Sequence, residues 1–201
     1  MNADQVAALR ALLTPTGWVD RTAWFGRALR ARSSNGLFVI GPQAAEPWHM
    51  TAHLTDETRL AGLPAPTLVR WAPPPGAPAH LSVGLDRLLA ASREETVLVV
   101  SQALAPAHLL DRVHDVRRNG VTVFALDQDD PELDGLAHEF LAIPADTAPV
   151  SFDAAQHLIS AAVGEDAGRP AGGGHRPARG PDSIRTRLAR LLDSVSGPAP
   201  E

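Results

Sequence analysis

The 201-residue chain contains no cysteine, no lysine and no tyrosine. Without cysteine, disulfides, thiolate metal sites and cysteine nucleophiles are all excluded. Without lysine, neither a P-loop lysine nor a lysine that forms a Schiff base is available. These absences remove several enzyme classes before any motif is considered.

An excess of positive charge and long apolar runs are also missing. The formal net charge is −5, which argues against a dedicated nucleic-acid partner. No apolar run approaches the ~18–20 residues of a membrane span, and the N-terminus lacks the basic region and apolar core of a secretory signal. We therefore expect a cytoplasmic protein with neither a nucleic-acid nor a membrane partner. Its 44% hydrophobic content allows a sizeable core.

What is present is a regular alternation of short apolar runs with segments of helical spacing. Uniformly apolar strands that alternate with helices are typical of a parallel sheet covered on both faces. The sequence therefore predicts a five-stranded parallel sheet in a three-layer α/β/α sandwich, preceded by N-terminal helices. The predicted strands are 37–41, 66–71, 96–101, 121–127 and 139–144, and the predicted helices are 4–13, 21–32, 47–57, 80–92, 105–118 and 152–163.

The composition changes towards the C-terminus. Glycine and proline dominate residues 166–181, which predicts a flexible linker. Beyond it, Ile184, Leu188 and Leu191 lie on one stripe of a predicted amphipathic helix at 182–196. The predicted organisation is a domain at 1–165, the linker, and a tail helix that is able to dock on its own domain or on a protein partner.

Ligands of such sheets bind beyond the carboxyl ends of the strands, where the strand order reverses. The loops after the first and third predicted strands, "GPQAAEP" and "SQALAP", are the candidates. The candidate ligand-binding residues are Gly41 and Gln43 in the first loop and Ser101 and Gln102 in the second.

Two histidines follow the first loop on the predicted helix at 47–57. His49 and His53 are four residues apart, so they share a helix face with the spacing of a metal-binding pair. No third ligand is evident in the sequence. We therefore assign both histidines to the ligand cleft and predict neither a metal nor another cofactor.

Other polar residues receive structural interpretations. Gln156 and His157, on the last predicted helix of the domain, are interpreted as packing or interface residues. Asp127, Asp129 and Asp130 in "DQDDPELD" are interpreted as a solvated turn with a helix cap.

The order of these segments resembles the sugar isomerase (SIS) domain family, and phosphoheptose isomerases most closely. The resemblance covers about residues 3–165 and rests on "LFVIGPQAAEPWHMTAHL", "AGLPAPTLVRW", "VVSQALAPAHLL" and "NGVTVFALD". It implies a flavodoxin-like sheet and a homodimer or homotetramer. Apolar residues of the last helix, among them Phe152, Leu158 and Ile159, are expected at the subunit interface.

The loop after the third strand departs from the family pattern. The family's Ser-x-Ser-Gly-x-Ser/Thr loop binds the sugar phosphate, and only its first serine is matched, by Ser101. Ala103 lacks a hydroxyl donor, Leu104 adds a side chain where the backbone would approach the anion, and Pro106 lacks an amide. The resemblance therefore implies a phosphate loop that has lost most of its donors.

The resemblance also implies that groups needed for catalysis are missing. His49 matches a family histidine, and His53 occupies the position of the family's glutamate. In the family these two residues, with a glutamine and a histidine on the last helix, bind metal or act as bases. The glutamine and histidine fall here at Ala154 and Ala162, and His157 matches another histidine common on that helix. An aldose–ketose isomerase needs acid and base groups on both sides of the sugar carbons, and alanine supplies neither.

Three functions remain open. In the first, the domain binds a sugar phosphate or related carbohydrate derivative without isomerising it, as a sensor or partner subunit. In the second, it is an active sugar-phosphate isomerase with relocated groups, in which His49 or His53 is the base. In the third, it is an oligomeric scaffold that has lost its ligand. The polar capacity of Gln43, Ser101 and Gln102 favours the first.

Overall fold

The computed structural model describes residues 17–146, 148 and 150–164. The helix predicted at 4–13, the linker at 166–181 and the tail helix at 182–196 lie outside this part. The elements in chain order are α1 (Trp18–Arg32), β1 (Leu37–Ile40), α2 (Trp48–Ala61), β2 (Thr67–Leu68), a 3₁₀ turn (Ala79–Leu81), α3 (Leu85–Leu89), β3 (Thr96–Val100), α4 (Ala107–Arg118), β4 (Thr122–Asp127), α5 (Pro131–Leu136), β5 (Glu139–Ala142) and α6 (Phe152–Gly164).

The five strands form one parallel sheet in the order β2-β1-β3-β4-β5. After β1 the chain adds β2 on one side, then crosses back to place β3 on the other side of β1. The reversal of strand order therefore lies between β1 and β3. This confirms the predicted fold class and places the loops that follow β1 and β3 next to each other at the carboxyl edge.

Helices cover both faces of the sheet. Successive side chains of a strand point to opposite faces, and β3 shows the consequence. Leu98 and Val100 enter an apolar cluster with residues of α1, α2 and α6, whereas Val97 and Val99 enter a second cluster with residues of α3, α4 and α5. Burial of each such side chain contributes about 1.5–3 kcal/mol, which explains why the central strands are uniformly apolar.

Two predicted elements are shorter than expected. The second strand forms ladder pairs only at Thr67 and Leu68, after which Arg70 makes an isolated bridge to Gly84. The helix predicted at 80–92 is divided into the 3₁₀ turn and α3, because Gly84 between them has an extended backbone (φ −104°, ψ −176°).

The helix α5 is absent from the prediction. It is only six residues long, with Pro131 at its start and Asp130 as its cap. A segment this short has too few apolar positions to show helical periodicity.

The last helix, α6, is an internal helix. Phe152, Leu158 and Ile159 are 6%, 8% and 0% exposed within the chain itself, so their assignment to a subunit interface is wrong. A Cβ atom on Gly26 of α1 would lie 2.6 Å from Ala162 Cβ of α6, which shows how closely these two helices approach. None of the described helices is both long and apolar enough to cross a membrane.

Candidate functional site

The loop after β1 begins at a buried glycine. A Cβ atom on Gly41 would lie 2.6 Å from the carbonyl oxygen of Val100, so this position requires glycine for close packing of two backbones. The carbonyl oxygen of Gly41 accepts a hydrogen bond of 2.7 Å from Trp71 Nε1. Gln43 is exposed in the turn that follows. Of the two predicted binding residues in this loop, Gln43 presents a side chain to solvent and Gly41 shapes the backbone.

Most hydrogen-bond donors of the loop after β3 are already engaged within the protein. Ser101 is 1% exposed, and its hydroxyl donates to the carbonyl oxygen of Ala103 at 2.6 Å. The amide of Ala105 donates to Asp130 Oδ2 at 2.6 Å, so a carboxylate already occupies a backbone donor of this loop. Leu104 is 72% exposed.

Gln102 connects this loop to the last helix. Its side chain is exposed, and its Nε2 donates to Asp153 Oδ1 at 3.4 Å. The same carboxylate oxygen accepts from Gln156 Nε2 at 3.1 Å. The start of α6 therefore lies beside the loop after β3.

Aromatic side chains lie around the two loops. The Trp71 ring packs edge-on against His108, in the first turn of α4, with 4.7 Å between ring centroids. Trp48 opens α2 and is 42% exposed, with the Arg70 guanidinium 4.8 Å from its ring centroid. Arg70 also pairs with Glu46, at 2.9 Å between Nε and Oε2. Two tryptophan rings therefore lie beside the loops, and the arginine next to them is already paired.

Three histidines converge where α2 meets α6. His49 and His53 from α2 meet His157 from α6, and we call these residues the histidine cluster. The ring centroids are 4.5 Å apart for His49–His53, 4.9 Å for His49–His157 and 4.1 Å for His53–His157. One ligand nitrogen of each ring lies within 4.8 Å of those of the other two.

Burial affects the charge of this cluster. It is the largest cause that lowers the pKa of His157 to about 4, and the neighbouring His53 and His49 lower it further. Burial, followed by the charge of His49, also lowers the pKa of His53. Both imidazoles are therefore neutral at pH 7, with a lone pair on one nitrogen of each ring.

A second group of titratable residues lies at the end of β4. Asp127, Asp130 and Asp134 form what we call the aspartate cluster. Asp130 caps α5, accepting from the amides of Glu132 and Leu133. The sequence predicted a helix cap in this segment, although not the helix itself. However, Asp127 and Asp130 are 0% and 3% exposed, so the expectation of a solvated turn is wrong for these two residues.

Backbone amides donate hydrogen bonds to carboxylates of the aspartate cluster. Asp127 Oδ1 accepts from the amides of Asp129 and Asp130 at 2.8 and 3.0 Å. Asp127 Oδ2 and Asp134 Oδ1 are buried without a donor among the described residues, and a proton shared between the two carboxyl groups would satisfy both. Burial, then the charge of Asp127, raises the pKa of Asp134 to about 7, which favours that proton.

A hollow away from the loops is lined by Trp24 and Phe140, with Asp20, Arg21, Phe25 and Leu141 around them. Trp24 and Phe140 are 50% and 49% exposed. The hollow lies between α1 and β5, and none of the predicted site residues contributes to it.

The structure brings together residues that sequence spacing could not connect. His49 and His53 share a face, as their spacing predicts, but His157 was assigned to packing and joins them only through the contact of α2 with α6. Ala162, where the resemblance implies a catalytic group, faces Gly26 of α1 instead. Helical spacing within α6 indicates which of its residues share a face, but not which neighbouring helix that face contacts.

No protein-family model matches the sequence, and no curated protein matches it significantly. Solved structures do match in fold. A candidate phosphosugar isomerase from Silicibacter pomeroyi superposes with a TM-score of 0.58 and 18% identity, over 95% of this chain and 53% of its own. A candidate sugar-binding protein from Salmonella typhimurium gives 0.57 and 16%, over 95% and 53%. A candidate phosphosugar isomerase from the same organism gives 0.54 and 11%, over 90% and 51%.

The present chain spans about half the length of each of these proteins. At such low identity the likeness concerns the fold, and it confirms the predicted resemblance to sugar isomerase domains at that level. The chain therefore has the five-stranded parallel fold of phosphosugar isomerase domains, with a histidine cluster beside the loops at its switch point.

Proposed function

We propose that this domain binds a carbohydrate derivative at the loops after β1 and β3, without isomerising it. Two observations support the location. The strand order reverses between β1 and β3, which is where ligands bind in such sheets. In addition, Trp48, Trp71 and the exposed amide side chains of Gln43 and Gln102 lie there, and a few polar groups among aromatic walls are typical of a small-molecule site.

The observation that carries the proposal is that the donors of the β3 loop are already engaged. Ser101 Oγ donates to a loop carbonyl, and the Ala105 amide donates to Asp130. Residues 41–53 and 101–110 contain no arginine, and Arg70 is paired with Glu46. A phosphate would therefore meet few free donors and no unpaired cation here, so we expect the sugar moiety to contribute more to binding than the phosphate.

The absence of turnover is proposed on separate grounds. Ala154 and Ala162 occupy the positions where the resemblance implies acid and base groups, and Ala162 is packed against α1. An active isomerase with His49 or His53 as its base is the alternative. The meeting of three imidazoles between α2 and α6 favours that alternative over a scaffold without a ligand.

Calorimetry with fructose 6-phosphate and with fructose tests the proposal. We expect weak affinity, about millimolar, for both sugars, with less than about ten-fold difference between them. An isomerase assay on the same phosphosugar should show no product. Micromolar binding of the phosphosugar together with its isomerisation would contradict the proposal and support the alternative.

Restoring the family's loop sequence provides a sharper test. The triple variant Ala103→Ser, Leu104→Gly, Pro106→Ser adds two hydroxyls, one amide and backbone access. At ~1–1.5 kcal/mol for each recovered hydrogen bond, affinity for the phosphosugar should rise by about one to three orders of magnitude, while affinity for fructose stays the same. Ser82→Ala is the control, since its hydroxyl donates to Ala77 and Pro78 carbonyls outside these loops.

A single substitution tests the natural loop. Ser101 carries its only hydroxyl, so Ser101→Ala should weaken whatever affinity for the phosphosugar the loop retains. An unchanged affinity would show that the ligand does not contact this loop.

A further inference from the structure

The histidine cluster has the geometry of a metal-binding site. Its three rings come from two packed helices, α2 and α6, so the positions of the ligands are set by the fold rather than by a mobile loop. One nitrogen from each ring lies within 4.8 Å of the other two. Nitrogens bound at about 2.0–2.1 Å to one tetrahedral zinc ion are about 3.3 Å apart, so modest side-chain rotations would bring all three onto one ion.

The ring nitrogens are available to a ligand. The hydrogen bond found at His157 uses its backbone carbonyl, which accepts from Ser160 Oγ. Within the described part of the chain, no ring nitrogen of the histidine cluster is hydrogen-bonded or ion-paired. His49 is exposed while His53 and His157 are half-buried, so the cluster is open to solvent on one side.

The protonation state of the cluster is compatible with metal binding. Two of the three imidazoles have lowered pKa values, chiefly because they are buried. A metal ion arriving at neutral pH would therefore not have to displace a proton from His53 or His157.

The chemistry of the three imidazole ligands favours some metal ions over others. Three imidazoles without a thiolate suit zinc, copper, nickel or cobalt, whereas magnesium and calcium prefer oxygen ligands. The nearby carboxylates are otherwise engaged, since Asp56 pairs with Arg59 and Asp153 accepts from Gln102 and Gln156. Three protein nitrogens leave one position of a tetrahedral ion for water or a ligand oxygen, as in catalytic rather than structural zinc sites.

We propose that His49, His53 and His157 bind one divalent transition-metal ion of the zinc class, with a fourth coordination position open to solvent. His49 and His53 stand at first-helix positions of the metal-binding and base residues that the resemblance implies. The last-helix positions of that set are Ala154 and Ala162, so His157 is a ligand that the resemblance does not supply. The site lies beside the ligand loops, since Gln102 of the β3 loop contacts Asp153, one helical turn before His157. Binding of the ion does not require the sugar, so the proposal goes beyond the proposed function.

The test titrates the full-length chain, stripped of metal with EDTA and then dialysed, with zinc chloride in a calorimeter. We expect one ion per chain, no binding of magnesium, and a higher melting temperature with zinc than without. Cobalt(II) is the second probe. It should give the intense visible absorption of a tetrahedral site, and zinc should abolish that absorption.

Substitutions identify the ligands. His157→Gln and His49→Gln should each weaken zinc binding at least about ten-fold, because each removes one of three ligands. His49 is exposed, so its variant should fold normally even if His157→Gln does not. The controls are His114→Gln on the exposed side of α4 and His175→Gln beyond the described residues, and both should bind zinc as the parent chain does.

Two results would overturn the proposal. The first is the absence of one-to-one zinc binding to the full-length chain at micromolar concentration. The second is equal weakening by His175→Gln or His114→Gln and by His49→Gln, which would show that the ion binds elsewhere.

Discussion

The chain gathers titratable side chains in two places, and the two groups differ in what their polar atoms contact. In the aspartate cluster, the oxygens of Asp127 and Asp130 accept hydrogen bonds from five backbone amides of the surrounding loops and helix. In the histidine cluster, the rings contact one another and their nitrogens have no donor or acceptor within the described residues. The first group therefore belongs to the fold, and the second is free to act on a ligand.

The same physical cause acts on both groups with opposite results. Burial disfavours the charged form of any group. It therefore raises the pKa of Asp134 and lowers the pKa of His157. A perturbed pKa alone would not distinguish a structural cluster from a functional one, whereas the hydrogen-bond partners do.

The largest effect on stability is expected from substitution of Asp130. Its carboxylate accepts from the amides of Ala105, Glu132 and Leu133, so Asp130→Ala leaves three amides without their acceptor. We expect a loss of about 2–4 kcal/mol in the free energy of unfolding, combining the loss of a helix cap with buried unsatisfied donors. Urea unfolding followed by circular dichroism measures it.

Asp111→Ala is the matched control for this variant, since Asp111 is exposed on α4. It should change the free energy of unfolding by less than about 0.5 kcal/mol. Equal effects of the two variants would show that the aspartate cluster does not support the fold.

The titration of Asp134 is expected to have a smaller effect, which appears as a pH dependence of stability. An aspartate in the unfolded chain titrates near pH 3.9, whereas the folded chain holds this proton until about pH 7. The folded state therefore binds more protons in between, and its stability falls as the pH rises from about 4 to about 7. Asp134→Asn carries no titratable proton and should remove this fall.

Urea unfolding of the parent chain and of Asp134→Asn at several pH values between these limits makes the measurement. The difference in unfolding midpoint between the two chains should grow in favour of the variant as the pH rises. A constant difference across this range would show that Asp134 titrates normally.

The histidine cluster should show the opposite pH dependence in metal-free protein. The lowered pKa of His157 means that the unfolded chain binds its proton first, so this contribution to stability is present above about pH 6.5 and is lost as the pH falls towards 4. Nuclear magnetic resonance of the imidazole nitrogens in EDTA should show His157 neutral at pH 5.5.

Removal of His53 separates the causes of this shift. Because burial is the larger cause and His53 the next, His53→Asn should raise the pKa of His157 without restoring it fully to its ordinary value. A full return would show that repulsion between the rings, and not burial, controls the cluster.

The predictable part of this molecule is the part that depends on local pattern. Val97 to Val100 are apolar because both faces of β3 are covered, so the strands and the adjacent loops could be recognised from the sequence. Asp127 and Asp130 resembled an exposed turn, because acidic residues beside proline usually cap a helix in solvent. Asp130 instead accepts from the amide of Ala105, which is 25 residues away in the chain, and local pattern could not indicate that contact.

The third histidine could not be predicted for the same reason. His157 is more than 100 residues from His49 in the chain, and their contact depends on which side of the sheet each helix packs against. The spacing of His49 and His53 indicated two of the three ligands of the proposed metal site. The third ligand required the tertiary structure.

Removal of the C-terminal segment is expected to have the smallest effect on stability. Within the described part of the chain, both apolar clusters are formed by residues between 18 and 163. The carbonyl of Val163 near the end of α6 accepts from Arg30 Nη1 at 2.7 Å. A chain that ends at residue 165 should therefore melt within a few degrees of the full-length protein, which differential scanning calorimetry measures. It also lacks His175, so zinc binding at the histidine cluster should be unchanged in stoichiometry and affinity. A large drop in melting temperature would show that the tail contributes to the core. A loss of zinc binding without such a drop would assign the metal ligand to the tail and reverse the contrast between the two clusters.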